Sequence, residues 1–281
     1  MASILEVSGL RKSYGNFELN DISFTIQEDC ITGFIGANGA GKSTTIYSLL
    51  NLVRREAGTI TFRGKDISAD ERLFKDKIGV VFDSSSFYDE LTIQEMTSLI
   101  APSYSEWNQR AYQEYLDMFS LQKEHIIGML SKGMKMKYAL ALALSHNAEL
   151  LIMDEPTSGL DPFMRKQFIR ILKTYMEAGS RAVFYSTHNT TDLDQSADML
   201  IMIHAGTILF EENKDALLEK FRIVKGDVKL LPGIQPFMLS FDKSNYGFTG
   251  ITDKAEKIKA AYPEVLIERA AIEDIMLAYI K

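Results

Sequence analysis

Apolar and polar positions alternate at Ile4, Leu5, Val7 and Leu10 and again over residues 22–26, before the turn residues Glu28 and Asp29. Period-two patterning of this kind predicts an N-terminal antiparallel sheet. Residues 31–35 form a short apolar run that stops at Gly36, and after a glycine-rich stretch Thr45, Ile46, Leu49, Leu50 and Val53 recur at helical spacing. The order is strand, loop, helix. From 91 to 144 the period is helical almost throughout; Trp107, Ala111, Tyr115 and Phe119 repeat every four residues, with Ser105 as the expected N-cap. The runs 150–153, 182–186 and 199–203 are short, apolar and bounded by polar turns, and Phe168, Ile169, Leu172, Tyr175 and Met176 lay a helix between the first two. Strands alternating with helices predict an α/β fold with a mainly parallel sheet.

Beyond about Phe221 the pattern changes. Lys225-Gly226-Asp227, Pro232-Gly233 and the glycines at 247 and 250 punctuate short segments, and Ile272–Ile280 closes on a helical pattern. This divides the chain into a main domain, 1–221, holding a helical subdomain at about 84–145, and a small accessory region, 222–281.

Composition narrows the class. The 281 residues carry 31 basic and 38 acidic side chains, a formal net charge of −7, and offer no dense basic tract for a phosphate backbone, so no nucleic-acid partner is expected. A single cysteine, Cys30, excludes an intramolecular disulfide or a cysteine zinc site and points to a reducing cytoplasm. Every apolar run falls far short of the ~20 residues that cross a bilayer, and the N-terminus reads as a strand rather than an export signal.

Two stretches carry chemistry. Gly36-Ala37-Asn38-Gly39-Ala40-Gly41-Lys42-Ser43 fits G-x-x-x-x-G-K-[ST] between a predicted strand and a predicted helix. Glycines there let successive N–H groups point at phosphate oxygens, Lys42 reaches the β- and γ-phosphates, and Ser43 offers a hydroxyl to Mg²⁺. Residues 150–155 form an apolar strand ending in Asp154 and Glu155, which places two carboxylates at the C-terminal edge of the sheet. Asp154 suits a metal, and Glu155 suits an attacking water.

The order of these motifs resembles the ATP-binding cassette (ABC) ATPases of transporters, over about residues 4–215. Leu130-Ser131-Lys132-Gly133-Met134 stands where that family carries its signature, Asp154-Glu155-Pro156-Thr157-Ser158-Gly159-Leu160-Asp161-Pro162 is similar to its catalytic strand and following loop, and Ser186-Thr187-His188 matches its switch histidine. The resemblance implies a P-loop NTPase fold and ATP hydrolysis with Mg²⁺. It gives Glu155, His188 and Lys42 catalytic roles, and Tyr14 the stack on adenine. The phosphates would lie on Gly36 to Thr44. Ser131 and Gly133 would bind the γ-phosphate of a facing subunit, and Asp161 would lie at the dimer contact. The implied partners are membrane-spanning permease subunits and a second cassette, a homodimer being favoured, at the inner face of the cell membrane. Phe87 and Tyr88 are expected to be exposed aromatics that touch the permease.

The chain departs from the family pattern twice. Asp83 replaces the glutamine that follows the strand at 78–82, and is expected as a further metal contact that makes hydrolysis more dependent on Mg²⁺. Lys132 replaces the first signature glycine: its ammonium lies near the partner's nucleotide, or Lys132, Lys135 and Lys137 form a solvated face. The segment from Glu268 to Tyr279 resembles ATPases of ABC-2-type exporters, especially of Gram-positive bacteria. A soluble ABC-type ATPase acting on nucleic acid or ribosomes, and a nucleotide-regulated scaffold with little hydrolysis, are the alternatives.

Overall fold

In the computed structural model, which describes residues 2–83 and 87–280, strand alternation builds the first layer. β1 (Ser3–Tyr14) and β2 (Phe17–Gln27) form an antiparallel hairpin that pairs Val7 with Phe24 and, at its tip, Tyr14 with Phe17. β3 (Ile31–Ile35) leaves this layer, and β4 (Ala57–Phe62) and β5 (Lys65–Asp66) complete it in the order β2-β1-β4-β5.

β3 instead enters a six-stranded sheet with β6 (Ile78–Val81), β7 (Leu150–Asp154), β8 (Ala182–Thr187), β9 (Met199–His204) and β10 (Thr207–Asn213), in the order β10-β9-β3-β8-β7-β6. All neighbours run parallel except β10, which turns back on β9. Parallel strands need crossover connections. These include α1 (Lys42–Leu49) and α2 (Glu71–Asp76). Period-two alternation gives this sheet two apolar faces: Ala182 and Phe184 of β8 join the cluster under the N-terminal sheet, and Val183 and Tyr185 join the cluster under the helices. Phe24 bridges the sheets, its ring 5.9 Å from Phe34 and 5.5 Å from Phe184.

The helical segment between β6 and β7 consists of α3 (Ile93–Ile100), α4 (Gln109–Met118) and α5 (Lys132–Leu144), with the non-helical stretches 104–108 and 119–126 interrupting the pattern that the sequence suggested was nearly continuous. The start expected for this block, about 84, falls at residues 84–86, outside the described ones. A capping box of Thr92 and Glu95 opens α3. Asn108, not Ser105, caps α4: its side chain accepts from the N–H groups of Arg110 and Ala111, and Ser105 is engaged by Asp76, whose carboxylate accepts from the Ser105 N–H at 2.7 Å and its hydroxyl at 2.5 Å. Thr97 joins the three helices, its hydroxyl 2.6 Å from Tyr112 Oη and 2.9 Å from Tyr138 Oη.

α6 (Pro162–Met176), α7 (Thr190–Ser196) and α8 (Lys214–Lys220) complete the helical cover. The chain then builds a third sheet, unforeseen in the apolar pattern, from β11 (Arg222–Gly226), β12 (Ser240–Ser244), β13 (Gly247–Thr252) and β14 (Leu266–Arg269) in the antiparallel order β12-β13-β11-β14. Its helices are α9 (Leu231–Ile234), α10 (Ala255–Ala261) and α11 (Ile272–Ile280). Val224, Ile234, Phe248, Ile258 and Val265 form its own small core. α11 then returns to the main body. Ile272, Ile275 and Ala278 are buried in the same cluster as Leu193 of α7, and the Tyr279 ring lies 5.3 Å from Phe210 and 6.0 Å from Phe221. No helix among the described residues is long and apolar enough to cross a membrane.

Candidate active site

The loop from β3 to α1 is shaped by close backbone approaches. A Cβ on Gly36 would lie 2.4 Å from the carbonyl oxygen of Ile203, and Gly41, at φ 116°, caps α1 with Leu19 2.7 Å from where its Cβ would be. Only glycine fits either position. Asn38 and Gly39 are exposed at the tip, Ala37, Ser43 and Thr44 are half-buried, and Ala40 is buried beneath. Lys42 is 6% exposed, and its ammonium donates to the carbonyl oxygens of Gly36 at 2.8 Å and Ala37 at 3.3 Å. The side chain therefore spans the loop that begins its own motif. Phe17, at the hairpin tip, also touches the Gly41 position, which brings its paired residue Tyr14 beside the cradle as an exposed ring.

Parallel pairing of β7 with β8 sets Asp154 opposite Ser186. Asp154 is 3% exposed, and the Ser186 hydroxyl donates to its Oδ1 at 2.5 Å. The same hydroxyl accepts from the Glu155 N–H at 3.0 Å. Glu155 turns out of the strand in the left-handed region, at φ 49°, a strained conformation for a residue with a side chain. Its Oε2 lies 2.8 Å from His188 Nδ1 and accepts the His188 N–H at 3.3 Å, and its Oε1 lies 3.7 Å from Lys42 Nζ. Lys42, Glu155 and His188 thus meet at one point above the sheet. Burial pushes the Tyr47 hydroxyl pKa up, and the carboxylates of Asp154 and Asp83 push it further.

The donor set bears on a metal. Among the described residues no group of three or more His, Cys, Asp or Glu is placed to hold an ion by itself. Asp154, buried with the neutral Ser186 hydroxyl as its hydrogen-bond partner, and Ser43 suit a hard cation that takes its remaining ligands from phosphates and water. Ser186, which positions both acids, was not singled out as a site residue from the sequence; its signal was its place at the end of the strand neighbouring Asp154.

Ser131 caps α5, its Oγ accepting from the Met134 N–H at 3.2 Å, and Gly133 lies next to Leu160. Asp161 caps α6 through the Met164 N–H at 2.9 Å, and beside it Phe163 is 74% exposed. Among the described residues no hydrogen bond or ion pair joins Ser131, Gly133 or Asp161 to Lys42, Glu155 or His188. Lys132 is exposed and Lys135 half-buried, and each makes an ion pair: Lys132 Nζ lies 2.5 Å from Asp83 Oδ1, and Lys135 Nζ 2.7 Å from Asp89 Oδ1. Asp83, expected at the metal, has that oxygen turned to Lys132. Phe87, expected to be exposed, is instead half-buried and packed against Tyr138 of α5 at 4.8 Å, which corrects that expectation; Tyr88 remains exposed.

A glycine cradle, a paired carboxylate and histidine at the sheet edge, and an inserted helical segment together define a P-loop ATPase. Residues 19–158 match the ABC transporter family. The chain is 33% identical over 225 residues to the bacitracin transport ATP-binding protein BcrA of Bacillus licheniformis, covering 79% of this chain and 74% of that protein. It is 31% identical over 292 residues to the Nod factor export ATP-binding protein I of Rhizobium johnstonii, covering 97% and 93%. The linearmycin resistance ATP-binding protein LnrL of Bacillus subtilis is 33% identical over 213 residues, covering 73% and 68%. Among solved structures, an ATP-binding subunit of an ABC transporter superposes with a TM-score of 0.70 at 26% identity, over 77% of this chain and 92% of that one. The chain belongs to the ATP-binding subunits of ABC transporters, and with them it is a nucleotide-binding ATPase. These relatives come from Gram-positive and other bacteria.

Proposed function

We propose that this subunit hydrolyses ATP with Mg²⁺ to power export through separate membrane-spanning permease subunits, acting as a pair of identical cassettes at the inner face of the cell membrane. The observation that carries the reading is the convergence of Lys42, Glu155 and His188, with Glu155 3.7 Å from the lysine and 2.8 Å from the histidine. The N–H groups of Gly36 to Thr44, at the positive end of α1, receive the phosphates, and Lys42 leaves its loop carbonyls for the β- and γ-oxygens. Tyr14 offers its face to adenine. Ser43 and Asp154 would hold Mg²⁺, which when bound neutralises phosphate charge.

Glu155 accepts a hydrogen bond from a water and orients it; the water oxygen bonds to the γ-phosphorus as the bond to the ADP oxygen breaks. His188 holds the Glu155 carboxylate in that position. Ser131 and Gly133, at the start of α5, stand apart from these groups and complete the site of a facing cassette, with Asp161 at the contact. The exposed Phe163 beside Asp161 supports such a cover. Tyr88, Leu99 and Met129 are exposed on the helical segment and offer the permease a surface. The name of one relative, Nod factor export ATP-binding protein I, supports the direction.

The Glu155→Gln variant tests the reading. It should bind ATP, lose about a hundredfold or more in turnover and accumulate as an ATP-bound dimer in gel filtration. Normal turnover in this variant would overturn the assignment of Glu155.

A further inference from the structure

Lys132 and Asp83, the two departures from the family pattern, are 49 residues apart in sequence and touch in space. The Lys132 stem passes 3.4 Å from the Cβ position of Gly159, and its ammonium bonds to Asp83 Oδ1 at 2.5 Å and Ser158 Oγ at 3.1 Å. Three segments meet at this side chain: the exit of β6, the first turn of α5, and the loop that follows Glu155. One turn further on, Lys135 holds Asp89, so two lysines at i and i+3 tie Asp83 and Asp89 to α5. β6 pairs Val81 with Met153 in parallel, so Asp83 leaves the sheet at the same edge as Asp154 and Glu155; three carboxylates at that edge would oppose a triphosphate.

We propose that Lys132 is a positioning residue for ATP hydrolysis: it neutralises Asp83 and fastens the start of α5 to the loop carrying Glu155, so that the two residues act as one unit. A lone Asp83 would add repulsion, and a lone Lys132 would free the first turn of α5. The proposal rests on the hydrolytic reading given above.

The test uses the full chain as Lys132→Met, Asp83→Asn, the double variant and Lys132→Arg. Lys132→Met should raise KM for ATP about fivefold and lower kcat several-fold, with a larger effect at low than at high salt. The double variant should recover most of this loss and its salt dependence, and Lys132→Arg should retain most activity. Without nucleotide, Lys132→Met should speed amide exchange over residues 131–136. A charge-swapped pair, Asp83→Lys with Lys132→Asp, serves if a single variant fails to fold, and should restore slow exchange. Independent, multiplying effects in the double variant, or unchanged exchange at 131–136, would overturn the proposal. Wild-type protein that turns over no ATP would remove the hydrolytic reading, whereas the exchange measurement judges the pair on its own.

Discussion

His146 is 1% exposed, and its ring stacks on Tyr104 with centroids 3.7 Å apart. Burial drives its pKa down to about 4, against a smaller upward pull from Asp76. Between pH 4 and the ordinary histidine value the unfolded chain binds the proton and the folded chain does not, so stability is complete above about pH 6.5 and falls as pH drops towards 4, by about 3 kcal/mol. Urea melts of wild type and His146→Phe across this range should show a flatter profile for the variant; parallel profiles would mean that His146 is not the group responsible. The candidate site residues were legible because their spacing is local: Gly36 to Ser43 follow one another from the end of β3 into α1, and Asp154 and Glu155 stand at one strand end. Ser186 was not, because its role comes from the pairing of β7 with β8. Nor was the Lys132–Asp83 contact, because nothing in linear order says that a lysine will cross to a carboxylate 49 positions away.

At the scale of elements, the hydroxyl of Thr97 fixes how α3, α4 and α5 meet. It donates to the Ile93 carbonyl at 2.7 Å and lies within bonding distance of Tyr112 and Tyr138, all three residues buried. Thr97→Val keeps the shape and strands the Tyr112 hydroxyl, whereas Tyr138 keeps its bond to the Ile93 carbonyl, at a cost of about 2 kcal/mol in denaturant unfolding; adding Tyr112→Phe should return part of it, since an apolar pair leaves less unsatisfied. Equal losses in single and double variants would rule out the hydroxyl as the joint. The parallel strands of the six-stranded sheet were readable as short apolar runs, as expected of strands covered on both faces, whereas β10 at its edge, with no fully buried residue, was not. Those of the C-terminal sheet were not. β12 (Ser-Phe-Asp-Lys-Ser) and β14 (Leu-Ile-Glu-Arg) have no fully buried residue, so their pairing rests on backbone bonds that leave little trace in composition. The start of α4 was misplaced by three residues because Ser105 and Asn108 are both good caps and Asp76 takes the serine.

For the whole molecule, the main apolar cluster runs without interruption from the helices under the ATPase sheet through α7 and α8 into α11. The region after Phe221 is therefore anchored where it leaves the main body and where α11 comes back to it, with Ile251 of β13 also in that cluster and the small core of Val224 and Phe248 beside it. Tyr246, in the turn from β12 to β13, is 99% exposed. A protease site inserted there should give a chain that runs as two bands under denaturing conditions and as one peak in gel filtration. The smaller piece would keep its ladders to β11 and its helix wedged beside Phe210. Dissociation of the pieces would refute that anchoring. If they stay together, the last thirty-five or so residues amount to a non-covalent ligand of the rest, able to be supplied in trans as a separate peptide.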